Sequence, residues 1–372
     1  MKILIIGGSP KSLVNFRGDL IRALVQQGHS VVGVAQDAPN SLVSEIESLG
    51  CRFKSIPIER NGLNPISDLK VLWSLYKLFK LEQPNIVLSY TIKPVIWGGI
   101  AAKFIKNTRF YGLITGLGFA FQSGGVKRNL LSWVATSLYR FSLNTASAVI
   151  FQNLDNRQVF VDKKIVPMLK THRVNGSGVN ILRFEAKPLP EGEMIFLSVS
   201  RLLGEKGLRE YVEAARIVKR KYPNVSFQLL GAEDPSPDGI SRSEVKAWHD
   251  SGAVEYLGST MDVRPFLTNS TVFVLASYHE GMPRTVLEAM SVGRPILTTD
   301  TEGCRETVVE GKNGFLVPVK SVEGLVEKMY WFIENSNRLI EMGFESRLMA
   351  EEIFDVHKVN NSLLSILELE RS

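Results

Sequence analysis

Short β-branched apolar runs alternate along the chain with stretches whose apolar positions recur at helical spacing. In the first half this pattern predicts strands at 3–6, 31–35, 51–58, 86–89, 109–114 and 149–152. Between them it predicts helices at 13–27, 67–81, 94–106 and 127–141, the first ended by Gly28. A polar stretch with Gly and Pro, 175–192, interrupts the series and reads as a linker. A second series follows, with strands at 194–199, 225–230, 253–257, 272–275, 296–299 and 315–317. Its helices are expected at 207–221, 244–250, 263–269 and 284–292, and the remainder is mostly helical. Strand–helix alternation of this kind means parallel sheets covered on both faces. The expected fold is therefore α/β, two doubly wound Rossmann-like domains facing a central cleft. The first spans 1–175, a linker 176–192, the second 193–345, and a helical segment 346–372 packs back on the first.

Length and composition change this picture little: 372 residues, 44% hydrophobic and 22% charged, suit two domains with cores of their own. Charge changes it more. Up to Glu185 there are 23 basic and 10 acidic residues, a net of +13; beyond it there are 21 and 28, a net of −7. The basic excess lies wholly in the first half, so that domain should face something anionic. Two cysteines, Cys51 and Cys304, and five histidines without CxxC or HExxH spacing point away from a disulfide framework or a structural zinc. The opening apolar run is too short for a signal peptide, and no stretch reaches the ~20 apolar residues that span a bilayer. A cytoplasmic protein is expected.

In doubly wound sheets ligands bind where strands end and helices begin. The most informative such place is Ser277-Tyr-His-Glu280-Gly-Met-Pro-Arg-Thr-Val-Leu-Glu288, where a strand ends, Pro283 fits a first helical turn and Gly293 stops the helix. Two carboxylates eight positions apart would stand ~12 Å apart on one helix; with Glu280 on the loop, both can converge on one ligand. The Gly281 and Met282 amides at the helix start suit an anion, and the carboxylates suit sugar hydroxyls. An acidic loop followed by one surface Glu on an amphipathic helix has the same spacing. The second place is Val199-Ser-Arg201-Leu-Leu-Gly-Glu-Lys206-Gly207, two cations on a loop that opens a helix, a natural diphosphate clamp. Solvated cations are the plain alternative for either residue alone.

Arg201…Lys206 followed by Glu280-x7-Glu288 resembles the nucleotide-sugar site of the family 4 glycosyltransferases, retaining enzymes of the GT-B fold. Gly7-Gly8, Tyr256-Leu257-Gly258 and Asp300-Thr-Glu-Gly-Cys-Arg-Glu306 extend the likeness nearly end to end. Within the family, Arg60-Asn-Gly-Leu-Asn-Pro65, Thr91-Ile-Lys-Pro94 and Thr115-Gly-Leu-Gly118 resemble bacterial transferases that extend polyprenyl-diphosphate-linked sugars, α-1,3-N-acetylgalactosaminyltransferases among them. The resemblance implies that Arg201 and Lys206 hold the donor diphosphate, Glu280 contacts the transferred sugar and Glu288 binds the ribose. Gly8 would let the backbone approach the phosphate, whereas Gly7 is read equally well as a tight turn. Tyr256 and Leu257 would contact the base. On the acceptor side the candidates are Lys93, on a loop after a strand, then Arg60, Thr115 and Gly116, with Arg17 as a further cation.

No Asp-x-Asp pair is present, so the cations would replace a metal, and no cofactor is expected because the UDP-sugar is a substrate. Relatives often carry a histidine after the strand that here ends at Ile114; this chain has Thr115, and a histidine contact is not carried over. His172 and His279 are expected to be packed or solvent-facing. Front-face transfer, in which the leaving phosphate oxygen takes the acceptor proton, is the expected route to retention.

Helices 67–81 and 126–141 combine Lys70, Lys77, Lys80, Lys127, Arg128 and Arg140 with Trp73, Tyr76, Trp133 and Tyr139. Such helices can lie on an anionic bilayer; a core-facing stripe with a solvated basic face reads the same. Nucleic acid is not expected as a partner, because the aromatics follow the apolar stripe. The function expected is a metal-independent retaining transferase, peripheral on the inner face of the cytoplasmic membrane, moving an N-acetylhexosamine-type sugar from a UDP-sugar to a polyprenyl-diphosphate-linked glycan. A UDP-N-acetylhexosamine 2-epimerase or a non-catalytic nucleotide-sugar-binding protein is the alternative. The lack of GxGxxG after the first strand argues against an NAD enzyme.

Overall fold

Ile3, Leu4, Ile5 and Ile6 are all fully buried, but alternate residues enter different cores: Ile3 and Ile5 one, Leu4 and Ile6 another. The first strand therefore divides two apolar layers, as the period-2 alternation of side chains requires. The computed structural model describes residues 1–58, 64–117 and 126–369, with the backbone alone for 126–128.

The first sheet is built from β1 (Lys2–Ile6), β2 (Ser30–Ala35), β3 (Arg52–Ser55), β4 (Ile86–Tyr90), β5 (Arg109–Ile114), β6 (Ala148–Phe151) and β7 (Thr171–Arg173), all parallel, in the order β3-β2-β1-β4-β5-β6-β7. Its helices are α1 (Pro10–Gln26), α2 (Asn40–Glu47), α3 (Pro65–Glu82), α4 (Ile92–Ala102), α5 (Val126–Leu143) and α6 (Leu154–Asp162). The second sheet runs β10-β9-β8-β11-β12-β13, again all parallel: β8 (Ile195–Val199), β9 (Ser226–Leu230), β10 (Glu255–Tyr256), β11 (Val272–Leu275), β12 (Ile296–Thr299) and β13 (Gly314–Val317). With it go α7 (Leu208–Lys221), α8 (Arg242–Asp250), α9 (Arg264–Thr268), α10 (Arg284–Val292), α11 (Val322–Glu334) and α12 (Leu339–Ile353). The last helix, α13 (Val356–Ile366), places Val359, Leu363 and Leu364 in the core that holds Ile3 and Ile5. The chain forms two compact units, Met1–Ser177 with the chain from His357, and Gly178–Val356.

Both sheets reverse strand order beside their first strand, between β1 and β4 and between β8 and β11. The loops after these strands are the ligand positions of such sheets. Three elements, α2, α6 and β7, carry too few apolar positions to show in the periodicity. One boundary matters for a candidate residue: α4 begins at Ile92, not at 94, so Lys93 lies in a first helical turn and not on a loop.

Candidate functional site

In the second unit the chain leaves β8 into a loop fixed by backbone bonds to the segment after β9. Leu202 N donates to Ala232 O (2.9 Å), Gly204 N to Asp238 O (2.9 Å), and Glu205 N to Asp238 Oδ2 (2.7 Å). Gly204–Lys206 make one 3-10 turn, and Gly207 follows in the left-handed region at φ 65°. A Cβ on Gly207 would lie 2.0 Å from Ala276 O, so only glycine allows the start of α7 to meet the end of β11 backbone to backbone.

That approach sets Lys206 against the loop between β11 and α10. Tyr278 N donates to Glu205 O (2.8 Å), and the Tyr278 hydroxyl donates to Glu210 Oε1 in the first turn of α7 (2.6 Å). Neighbouring β12 holds the loop from its other side: the hydroxyls of Thr298, Thr299 and Thr301 donate to the carbonyls of Leu275, Ser277 and Tyr278. Gly303 packs so closely that a Cβ there would lie 2.5 Å from Gly281 O. The outcome is an ion pair between Lys206 Nζ and Glu280 Oε1 at 2.7 Å, with side chains 12% and 18% exposed.

Glu288 lies in the second turn of α10, 6% exposed, and Arg284 Nε donates to its Oε1 at 2.8 Å. Burial pushes its carboxyl above the ordinary range, against the opposing charge and hydrogen bond of Arg284. A buried acceptor-rich carboxylate of this kind suits a pair of hydroxyls. Arg201 is half exposed and pairs with Asp234. Burial acts to raise the Asp234 carboxyl, but bonds from Ser236 and Arg201 outweigh it and hold the group below its usual value. Loop geometry thus brings Lys206, Glu280, Gly281 and Met282 together at one end of the sheet, with Glu288 in the following helix.

The other candidates are placed as follows. The Tyr256 hydroxyl donates to Gly231 O (2.9 Å), and burial with the Glu233 charge raises its pKa. Leu257 N donates to Leu229 O (2.9 Å) and Gly258 O accepts from Gly231 N (2.8 Å), so this segment runs beside the end of β9. His172 and His279 are exposed; His279 Nδ1 stands 3.7 Å from Glu302 Oε2.

In the first unit Gly7 and Gly8 follow β1. Packing dictates glycine at Gly7, where a Cβ would fall 2.3 Å from the Tyr90 ring; at Gly8 the nearest atom is Thr91 Oγ1 at 3.2 Å. Lys93 is not a free loop cation: its Nζ pairs with Asp68 Oδ1 at 2.8 Å, because α3 and α4 pack side by side. Arg17 is buried with its guanidinium 5.1 Å from the Tyr90 ring centre, so it belongs to the core layer and not to an open path. Thr115 and Gly116 are half-buried just after β5, and Arg60 lies outside the described residues.

Sequence reasoning missed the supporting set: Asp234, Asp238, Tyr278, Thr299, Thr301 and Arg284. Only Arg284 carried a readable signal, as the i, i+4 partner of Glu288 on a helix. Among the described residues no group of three His, Cys, Asp or Glu side chains could hold a metal ion.

Comparison with known proteins gives a consistent family. Residues 181–348 match the family described as glycosyl transferases group 1, and residues 2–153 match glycosyl transferase 4-like. The chain is 31% identical over 349 residues, 90% of each chain, to the N,N'-diacetylbacillosaminyl-diphospho-undecaprenol alpha-1,3-N-acetylgalactosaminyltransferase of Campylobacter jejuni. It is 27% identical, over 74% of this chain and 73% of the other, to the UDP-Gal:alpha-D-GlcNAc-diphosphoundecaprenol alpha-1,3-galactosyltransferase of Escherichia coli. Among solved structures, Anabaena HepE in complex with UDP-glucose superposes with a TM-score of 0.78 at 19% identity, covering 99% of both chains. Sucrose-phosphate synthase from Thermosynechococcus elongatus gives 0.79 at 16%, covering 99% and 98%. These likenesses establish the GT-B fold.

Proposed function

The chain belongs to the family 4 glycosyltransferases, and from that premise we propose that it moves an N-acetylhexosamine-type sugar from a UDP-sugar to a polyprenyl-diphosphate-linked glycan, with retention and without a metal ion. The observation that carries the donor side is the convergence of Lys206, Glu280 and the start of α10, with Glu288 in that helix. The names of the Campylobacter and Escherichia relatives support a diphosphate-lipid acceptor, and that of the latter supports a UDP-linked donor.

In this reading the bond from the sugar C1 to the UDP oxygen breaks as an acceptor hydroxyl bonds to C1 on the same face. The acceptor proton passes to the departing phosphate oxygen, so no protein nucleophile is needed. Arg201 and Lys206 stabilise the charge that develops on that phosphate. Glu280 turns from Lys206 to the sugar hydroxyls, the Gly281 and Met282 amides line the same turn, and Glu288 takes the ribose. Tyr256 and Leu257 flank the base. Gly8, Lys93, Thr115, Gly116 and Arg60 are assigned to the first unit's share of the ligands, Lys93 after release from Asp68. No cofactor takes part.

The protein is proposed to work on the inner face of the cytoplasmic membrane. No helix among the described residues is long and apolar enough to cross a membrane. Yet α3 turns Leu69 and Trp73 outward, 60% and 56% exposed, and α5 does the same with Trp133, 67% exposed. Lys77 Nζ stands 5.1 Å from the Trp73 ring centre. Exposed aromatics flanked by lysines favour a bilayer surface over a core stripe, and nothing in their arrangement suggests stacking with nucleic acid.

The test incubates the protein with UDP-N-acetylhexosamines and a lipid-diphosphate-linked sugar, with and without EDTA, and follows UDP release and the anomeric configuration of the product. Retention and insensitivity to EDTA are expected. An inverted product would overturn the stereochemistry, sugar isomerisation without acceptor would point to an epimerase, and binding without UDP release to a sensor.

A further inference from the structure

The chain passes from the first unit to the second between Ser177 and Gly178 and returns between Val356 and His357. Just inside the second unit these two passages are bonded to each other. Val179 N donates to Phe354 O at 2.8 Å, and Val356 N donates to Val179 O at 2.9 Å. Gly178 is left-handed at φ 71°, and a Cβ there would lie 2.6 Å from Val356 Cα. A side chain at 178 would push the two passages apart.

Past Val179 the outgoing segment is fastened to α10, the helix that carries Glu288. Ser291, one turn after Glu288 and fully buried, donates its hydroxyl to Phe184 O at 2.6 Å. Arg347 reaches across from α12, and its Nη1 lies 2.7 Å from Ser291 O, 2.9 Å from Phe184 O and 3.3 Å from Ile181 O. Its Nε is held by Glu351 Oε1 at 2.5 Å. Arg294, fully buried just beyond the end of α10, donates Nη2 to Lys187 O at 2.7 Å and to Pro188 O at 2.9 Å. Two guanidinium groups therefore hold the carbonyl end of α10 and four carbonyls of the outgoing segment at once. The last carbonyls of a helix have no partner within it and carry the negative end of its dipole, so cations belong there. What is unusual is that the same cations also grip the segment that leads in from the other unit. Arg347 additionally sits on α12, whose end leads to the return passage.

We propose that Arg347, with Ser291 and Arg294, is a positioning residue that makes α10 and both chain passages one rigid piece, so that donor bound at Glu288 is felt where the two units join. A helix is stiff along its axis, and packed elements shift between discrete arrangements rather than deform smoothly. A small displacement of α10 by the ribose is therefore passed to Phe184 and Ile181, then to Val179 and Phe354. The proposal rests on the donor-site reading above.

The test uses the full chain with UDP as the probe, hydrogen exchange at 176–182 and 354–358, and steady-state kinetics on wild type, Arg347→Met and Ser291→Ala. In wild type UDP is expected to slow exchange at both passages. Arg347→Met should bind UDP within about threefold of wild type, lose most of that slowing, and lose about tenfold in kcat with little change in donor KM. Ser291→Ala, which removes one hydroxyl and no charge, should shift the same readouts in the same direction by less, and serves if the arginine variant does not fold. Protection at the passages equal to wild type in the folded variants overturns the coupling. UDP binding to wild type without any protection there overturns the coupling alone, whereas no UDP binding to wild type overturns the donor-site reading and the coupling with it.

Discussion

Lys206 and Glu280, 74 positions apart in the chain, meet at 2.7 Å where β8 and β11 run side by side. The cation that would receive the donor diphosphate is thus already neutralised, and the carboxylate that would receive the sugar is already oriented. Removing either partner leaves the other partly buried without this ion pair, which costs some stability. Lys206→Ala should lower kcat/KM by about 10²–10³, the loss typical of a deleted transition-state donor. Glu280→Gln should have a similar effect, with both variants still unfolding cooperatively, at a somewhat lower temperature than wild type. Wild-type rates of UDP release from both folded variants would remove the proposed site.

Glu288 predicts a pH effect on stability whose sign follows from burial. Its carboxyl lies above the ordinary value of 4.5 in the folded chain. As pH rises past 4.5 the unfolded chain releases this proton while the folded chain still holds it, so stability falls until the folded group has also ionised. Glu288→Gln removes that titration. Its melting temperature relative to wild type should rise across this window and then level, while donor KM increases at neutral pH. A difference in melting temperature that does not change with pH would contradict the burial argument.

Gly207 and Gly252 make a matched pair, both left-handed at φ 65° and φ 69°. A Cβ at Gly252 meets nothing within 4 Å, whereas at Gly207 it would lie 2.0 Å from Ala276 O. Gly252→Ala should cost about 1–2 kcal/mol for the backbone conformation alone. Gly207→Ala should cost at least about 1–3 kcal/mol more through displaced backbone and should also reduce transfer. Urea unfolding midpoints of the two variants test this, and equal costs would mean that the approach of α7 to β11 is not under constraint.

The exposed Trp73 and Trp133 predict binding to anionic vesicles that weakens with salt. Replacing both by Ala in the full chain should reduce partitioning by tenfold or more, since burying one such ring contributes about 1.5–3 kcal/mol. Flotation with anionic and with neutral vesicles gives the measurement; equal weak binding to both would count against the membrane reading.

Much of the fold was legible because parallel strands are buried on both faces. Ile3–Ile6 and Val272–Leu275 read as unbroken apolar runs, and turn residues such as Gly28 and Gly293 mark the ends of helices between strands. Elements with sparse apolar positions did not show. In α6 only Asn156 and Phe160 are buried, and β7 buries Thr171 alone, too little for a period to emerge. Lys93 shows a related gap. Its place after a strand suggested a loop, but a non-glycine turn at Thr91, φ 68°, starts α4 early and turns the lysine toward Asp68.

By itself, then, the sequence determined the class of the strongly periodic elements, the two-part organisation and the residue types proposed to meet a diphosphate and a sugar, because these follow from local periodicity and from spacing along one strand–loop–helix unit. Only the tertiary structure decided who pairs with whom. Strand order is set by burial of whole faces, and it is the reversal between β8 and β11 that puts Lys206 beside Glu280. The same non-local packing assigns Asp234 to Arg201, Asp68 to Lys93, and Arg347 to the carbonyls of Ile181, Phe184 and Ser291. Those partners lie tens to more than a hundred positions away, beyond the reach of any pattern read along the chain.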